Sequence, residues 1–167
     1  TTAITLFPFM VSLQAAKLGL SASATAWLIA EAAIGAVAVR SGLQWVAKWA
    51  RPPSVLMGSL AATSVAFALF PLFSELIGLT VISIVLGLAI GAGSPIATTL
   101  AYSAAPDARK SEALGLSMAI SMLFQTGAPL VLGMVASLWG VTAMAWSIAG
   151  LLAAAAAYAA SPSKHDR

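Results

Sequence analysis

The sequence predicts an all-α protein, a polytopic transmembrane bundle of about six helices. Hydrophobic residues make up 60% of the chain and charged residues only 8%, whereas a soluble domain carries about 25% charged residues. The hydrophobic residues also form long blocks, which is typical of segments whose solvent is lipid. We therefore assign residues 1–161 to a transmembrane domain and residues 162–167 to a C-terminal tail.

Six apolar blocks define the predicted helices, because lipid offers no water to exposed backbone groups. A spanning helix needs about 20 apolar residues, and all blocks but the first reach that length. The first block is short by about one turn, so we expect the chain to begin inside a longer gene product. The blocks are 1–16, 24–46, 54–74, 77–104, 112–138 and 141–160. The connections between them are 18–23, 48–54, 73–75, 103–112 and 138–141.

Basic residues are concentrated in alternate connections and in the tail. The first, third and fifth connections carry only Lys17 as a basic residue. By the positive-inside rule, the basic loops and the C-terminus are predicted to be cytoplasmic. The basic set is Lys48, Arg51, Arg109, Lys110, Lys164 and Arg167.

The segment GLAIGAGSPIATT (87–99) has glycines ahead of serine and threonine, as a phosphate-binding loop has. Such a loop needs Gly-Lys-Ser/Thr, and no Lys or Arg occurs between Arg51 and Arg109. We instead predict a helix that packs closely through small residues and bends at a proline, which frees the carbonyl of residue 91. The residues assigned to this role are Gly87, Gly91, Gly93 and Pro95, with Pro129 as a second kink.

Glu31 is the most informative single residue. It lies about seven residues, or about 10 Å, inside the second block, where an ionised acid costs roughly 2.5–3.5 kcal/mol or more. Such an acid commonly binds a proton or a cationic substrate, although a protonated Glu bonded to a neighbouring helix is an alternative. Gly35, Ala38 and Gly42 follow it at one-turn spacing and predict a tightly packed face.

The fifth block carries a polar stripe of Ser117, Ser121 and Gln125 at i, i+4 and i+8, so these residues share one helix face. Pro129 has no N–H for the carbonyl of Gln125, which adds a freed acceptor. These groups can serve as ligands of a polar substrate. The alternative is that they only form hydrogen bonds between helices.

Three stretches give the chain a resemblance to the C-terminal half of a major facilitator superfamily transporter, and the resemblance covers nearly the whole chain. They are RSGLQWVAKWARPPSVLMGS (40–59), LGLAIGAGSPIATTLAYSAAPDARKSEALGL (86–116) and QTGAPLVLGMVASLWG (125–140). Gly42 and Arg51 match the loop signature of the family, whereas Val46 stands where the family has an acid.

The resemblance implies helices seven to twelve of a secondary active transporter, with the N-terminal half of the same polypeptide missing from this sequence. It implies a permease that moves a small solute by alternating access, through proton-coupled uptake or efflux, in a bacterial cytoplasmic (inner) membrane. The expected partners are the lipid bilayer, the other half, a small-molecule substrate and protons. It also implies a central cavity bordered by residues Glu31, Ser94, Thr98, Ser121 and Gln125.

Several function classes are disfavoured by the residues that the sequence lacks. There is no Cys, and the only His is His165 in the tail. Intramembrane proteases need metal ligands or two membrane acids, so we expect no enzyme, catalytic residue, metal or cofactor. The basic residues lie in the gaps between apolar blocks, so we expect no nucleic-acid partner. A non-transporting subunit with a structural or assembly role, or a smaller transporter of another family, stays open as an alternative.

Overall fold

A computed structural model of the protein describes residues 2–49, 52–106 and 109–160. These described residues are almost entirely helical and contain no β-strand, so the prediction of an all-α chain is confirmed. The helices are α1 (Thr2–Leu18), α2 (Ala22–Trp49), α3 (Pro52–Leu69), α4 (Leu76–Ala104) and α5 (Lys110–Ala160). A 3-10 turn, Phe70–Leu72, follows α3, where Pro71 ends the regular helix.

The described residues form five α-helices where the sequence predicts six, and the difference lies in α5. Its hydrogen-bonded pattern continues across the predicted turn at 138–141, but Gly140 is non-helical, with φ 83° and ψ 171°. Only glycine adopts such angles without steric cost, so one residue replaces the predicted loop. We call the two parts of α5 the N-terminal arm (110–139) and the C-terminal arm (141–160).

The basic connections are shorter than predicted, because the helices extend into them. Lys48 belongs to the last turn of α2, and Lys110 is the first residue of α5, so neither is a loop residue. Arg109 does lie in a connection, whereas Arg51 and the tail lie outside the described residues. Pro52 explains part of the difference, since proline is favoured in the first turn of a helix and lets α3 begin early.

The closest helix pairing joins α2 to α4 through glycine. A Cβ atom at Gly91 would lie 2.6 Å from Cα of Ala36, and one at Gly87 would overlap the backbone of Ala32. A Cβ atom at Gly35 would lie 3.0 Å from the carbonyl oxygen of Ile84. The glycines therefore let the two backbones touch, which is how helices associate where the solvent is lipid.

The predicted packing face of α2 is partly wrong. A Cβ atom at Gly42 would have no neighbour within 4 Å, and Ala38 is exposed. The face that packs on α4 instead contains Ala32, Gly35 and Ala36. The i, i+3, i+4 spacing of these three residues defines a face rotated away from Glu31, and the position of α4 selects it.

Helix α3 lies between α4 and the C-terminal arm. A Cβ atom at Gly93 would lie 2.6 Å from Oγ of Ser59, so Gly93 also packs closely, as predicted for this segment. On the other side, the Ser64 hydroxyl donates a 2.7 Å hydrogen bond to the carbonyl of Ala149. The edge of the Phe70 ring meets Phe7 of α1 with 6.1 Å between centroids. Apolar side chains from all five helices fill the core.

Within the part of the chain that the structure describes, four helices are long and apolar enough to cross a membrane. The candidate spans are Ala22–Gly42, Pro52–Leu72, Leu76–Ser103 and Lys110–Ala159, and α1 is a shorter apolar helix. The last span covers 50 residues, and about 20 residues cross the hydrocarbon core once. Large apolar side chains such as Ile77, Leu123 and Leu138 remain more than 70% exposed. A soluble protein rarely exposes so much apolar surface, so these faces are suited to lipid.

Replacing Gly91 with Ala is expected to lower the thermal unfolding midpoint in detergent, because the new methyl group meets backbone atoms of Ala36 that cannot rotate away. Overpacking of this kind costs about 1–3 kcal/mol. The matched control is Gly58→Ala in α3, where a Cβ atom would have nothing within 4 Å. That change should leave the midpoint unchanged or raise it. Unfolding is monitored by tryptophan fluorescence. Equal unfolding midpoints for the two variants would contradict the close packing of α2 on α4.

Candidate functional site

A groove lined by both polar and apolar residues lies between the C-terminal half of α4 and the N-terminal arm of α5. Its volume is about 350 Å³, at the lower end of the range for small-molecule sites. It contains five of the six residues that the sequence nominates for a substrate pathway. The lining residues are Ser94, Ala97, Thr98 and Ala101 of α4, and Leu114, Ser117, Met118, Ser121, Met122 and Gln125 of the arm. We call this set the α4–α5 groove.

The polar stripe of the N-terminal arm faces this groove. Ser117, Ser121 and Gln125 stand one turn apart, so a single helix face presents all three to α4. The opposite face is apolar and open: Leu116 is 64% exposed and Leu123 is 73% exposed. The arm is therefore amphipathic in the sense required of a helix that separates a polar groove from lipid.

Prolines add backbone acceptors on both helices. Pro129 cannot donate to the carbonyl of Gln125, and Pro95 cannot donate to the carbonyl of Gly91. The Thr98 hydroxyl donates a 3.2 Å hydrogen bond to the carbonyl of Ser94. This bond leaves the Thr98 oxygen free to accept. Of the two carbonyls that the prolines leave free, that of Gln125 belongs to a residue that lines the groove, whereas Gly91 packs on α2.

The Gln125 amide is oriented by α1. Oγ1 of Thr5 donates to Oε1 of Gln125 at 3.4 Å, a long hydrogen bond that joins two helices distant in sequence. The amide nitrogen carries two further N–H donors, and it has no partner among the described residues. Gln125 lies about 22 Å along the arm from Lys110 at 1.5 Å per residue, so these donors stand deep in the membrane span.

Two serine hydroxyls in the groove have unused hydrogen-bonding capacity. Within the part of the chain that the structure describes, Ser94 and Ser117 make no side-chain hydrogen bond. Many other hydroxyls of the protein bond to a carbonyl one turn earlier, as Ser147 does to Ala143 at 2.8 Å. The two groove serines can each donate to and accept from a bound solute.

Glu31 lies apart from the groove. It is half-buried, and its Oε2 atom is buried without a hydrogen-bond partner among the described residues. It precedes Gly35 by one turn, and Gly35 meets α4 at Ile84 and Leu88. Ser94 follows Ile84 by ten residues, so on the order of 15 Å along the helix axis separates Glu31 from the groove. Glu31 therefore does not contact a solute held between Ser94 and Ser117.

The basic residues next to the groove already have partners. Nε of Arg109 lies 4.0 Å from Oε2 of Glu112, and both side chains are 76% exposed. Such a surface pair contributes little to stability. Nζ of Lys110 lies 5.0 Å from the centroid of the Tyr102 ring, a cation–π arrangement. These contacts lie at the end of the groove where α4 passes into α5.

Two buried polar residues lie outside the groove. Ser83 is 0% exposed and Gln14 is 2% exposed, and each has one buried side-chain oxygen without a partner in the described ranges. Each is an isolated polar residue within an apolar block, and periodicity does not identify such a position. Met118 and Met122 also line the groove, and the sequence does not single them out because apolar residues in a membrane helix give no indication of which side they face.

The described residues contain no group of three or more His, Asp or Glu side chains that could hold a metal ion. No protein-family model matches the chain, and no curated protein matches it with significant similarity.

Cysteine labelling tests whether water fills the α4–α5 groove, and the chain has no native cysteine. Ser94→Cys and Ser117→Cys are expected to react with a membrane-impermeant maleimide, because the reactive thiolate forms in water. The matched controls are Leu116→Cys and Leu123→Cys on the opposite face of the arm, which are exposed but face lipid. They should react slower by roughly an order of magnitude. Equal rates at all four positions in membranes would contradict the assignment of the two faces.

Proposed function

We propose that the chain forms half of a secondary active transporter and that the α4–α5 groove belongs to its solute pathway. The observation that carries the proposal is the groove itself. Five polar residues from two apolar, proline-containing helices face one cavity, and two of them, Ser94 and Ser117, make no side-chain hydrogen bond within the described ranges. Polar groups inside a membrane span are costly, so they usually line a cavity or pair with one another. Here Ser94 and Ser117 line the cavity without pairing.

The pairing of the helices supports the resemblance to the major facilitator superfamily. Ala32 meets Gly87 and Ala36 meets Gly91, so α2 and α4 run in the same direction. Thr5 bonds to Gln125, and Phe9 lies 3.5 Å from the position of a Cβ atom at Gly133, so α1 and the N-terminal arm also run in the same direction. The helices can be divided into two triplets, α1–α3 and α4 with the two arms of α5. The middle helix of the first triplet, α2, then packs on α4, the first helix of the second. The middle helix of the second triplet, the N-terminal arm, packs on α1, the first helix of the first. Halves of this superfamily contain such three-helix repeats.

The mechanism that we propose is alternating access. The chain and the N-terminal half of the same polypeptide rock about a site near the middle of the bilayer, which opens first to one side and then to the other. The prolines at positions 95 and 129 weaken the helix backbone beside the groove, so bending concentrates there. The membrane is the cytoplasmic (inner) membrane, with the C-terminus on the cytoplasmic side.

Glu31 is proposed as the proton-coupling residue. Its Oε2 atom is buried without a hydrogen-bond partner among the described residues, and an acid inside a membrane span is commonly a functional residue. Because Glu31 is separated from the groove, the proton and the solute bind at different depths within the half of the transporter that this chain forms. Coupling then operates through the rocking of the bundle, with no direct contact between the two ligands.

Transport by the complete gene product that carries this chain tests the proposal. Reconstituted in vesicles with an imposed pH gradient, it should accumulate or extrude at least one member of a panel of small solutes. Ser117→Leu should abolish the flux, because the side chain fills the groove. Ser137→Leu is the matched control in the same arm, since Ser137 is exposed outside the groove. A protein that assembles in the membrane but moves nothing would favour a structural or assembly subunit.

Glu31→Gln should abolish the dependence of transport on the pH gradient while leaving exchange of solute across the membrane intact. The amide keeps the size and hydrogen-bonding capacity of the side chain but cannot titrate. The control is Glu112→Gln, because Glu112 is an exposed acid in a surface pair. If Glu31→Gln accumulates solute against its gradient as the unmodified protein does, Glu31 does not couple protons.

A further inference from the structure

The chemistry of the α4–α5 groove identifies a class of solute. Resting on the proposed transport function, we infer that the groove binds an uncharged polyhydroxy solute of the size of a monosaccharide or a short linear polyol. Three features of the groove carry this inference: its lack of charge, its mixture of donors and acceptors, and its volume.

The groove offers no counter-charge to an ionic solute. None of its described lining residues is charged, and Glu31 lies on the order of 15 Å away along the helix axis. Arg109 pairs with Glu112, and Lys110 lies over the Tyr102 ring. Moving an ion out of water without a charged partner costs far more free energy than moving a neutral group that keeps its hydrogen bonds. An organic cation or a carboxylate is therefore disfavoured.

The polar groups of the groove complement hydroxyl groups. Ser94 and Ser117 can donate and accept, Thr98 can accept, and Gln125 offers amide N–H donors and a freed carbonyl. A hydroxyl is both a donor and an acceptor, so a solute with several hydroxyls can pair with all of these groups. A wholly apolar solute would leave them unpaired, which costs about 1–3 kcal/mol for each buried group.

The volume and the apolar wall suit a solute of this size. The groove is partly open and has a volume of about 350 Å³, which is roughly the volume of a dozen water molecules in the liquid. A six-carbon polyol has about a dozen non-hydrogen atoms, so it suits this space. Leu114, Met118 and Met122 supply apolar surface against which the C–H groups of a sugar or polyol can pack.

Binding of three matched six-carbon compounds tests the inference. Sorbitol is uncharged, glucamine carries the same chain with a terminal ammonium group, and gluconate carries it with a carboxylate. Titration calorimetry on the complete gene product in detergent should show that sorbitol binds at least roughly tenfold more tightly than either charged compound. Ser117→Ala and Gln125→Leu should each weaken sorbitol binding by roughly threefold to tenfold. Ser137→Ala, outside the groove, should leave it unchanged.

The possible outcomes separate this inference from the proposed function. Equal or tighter binding of a charged compound overturns the inference, and so does the absence of sorbitol binding. If the charged compound is also transported in a way that Ser117→Leu abolishes, the proposed function stands without the inference. If sorbitol binds with the expected dependence on Ser117 but no gradient drives its movement, the groove is a polyol site and the transport function is wrong.

Discussion

The constraint on which the rest of the structure depends is that lipid offers no hydrogen-bond partner to a polar group. Many hydroxyls of the protein find a hydrogen-bond partner within their own helix, as Ser41 does by donating to the carbonyl of Val37 at 3.1 Å. Others find one on another helix, as Ser64 does by bonding to Ala149. Ser94 and Ser117 have no such bond among the described residues, and unlike the fully buried Ser83 they line a groove. Water or a solute in that groove can supply the missing partner.

The same face of α4 serves two purposes along its length. Gly87 and Gly91 hold the first part of this face against α2. Ser94 and Thr98 follow these glycines by seven residues each, or nearly two turns, so they continue the face toward the arm of α5. Close packing fixes the helix at one end, and the loose approach of α4 and α5 leaves the groove at the other. The glycines thus position the site without touching it.

The sequence predicts the helical class, the span lengths and the polar stripe of the arm, because each depends on local periodicity and composition. It does not predict that Gly140 replaces a whole loop, since many backbone conformations suit a glycine between apolar blocks. Nor does it place Lys48 and Lys110 inside helices, because apolar blocks do not mark the residue at which a helix ends. The separation of Glu31 from the groove depends on the register of α2 against α4, which only packing determines.

Oxidative footprinting of the unmodified protein in lipid nanodiscs tests the central claim that the α4–α5 groove holds water within the membrane. Met118 and Met122 line the groove, whereas Met134 lies outside it in the same arm. The Met134 side chain is 67% exposed, and we assign its surroundings to lipid or to the N-terminal half of the transporter. Hydroxyl radicals generated in water should oxidise Met118 and Met122 several times faster than Met134, roughly in proportion to their access to water. Equal protection of all three methionines from oxidation would show that the groove is dry. The assignment of the groove to a solute pathway would then be wrong.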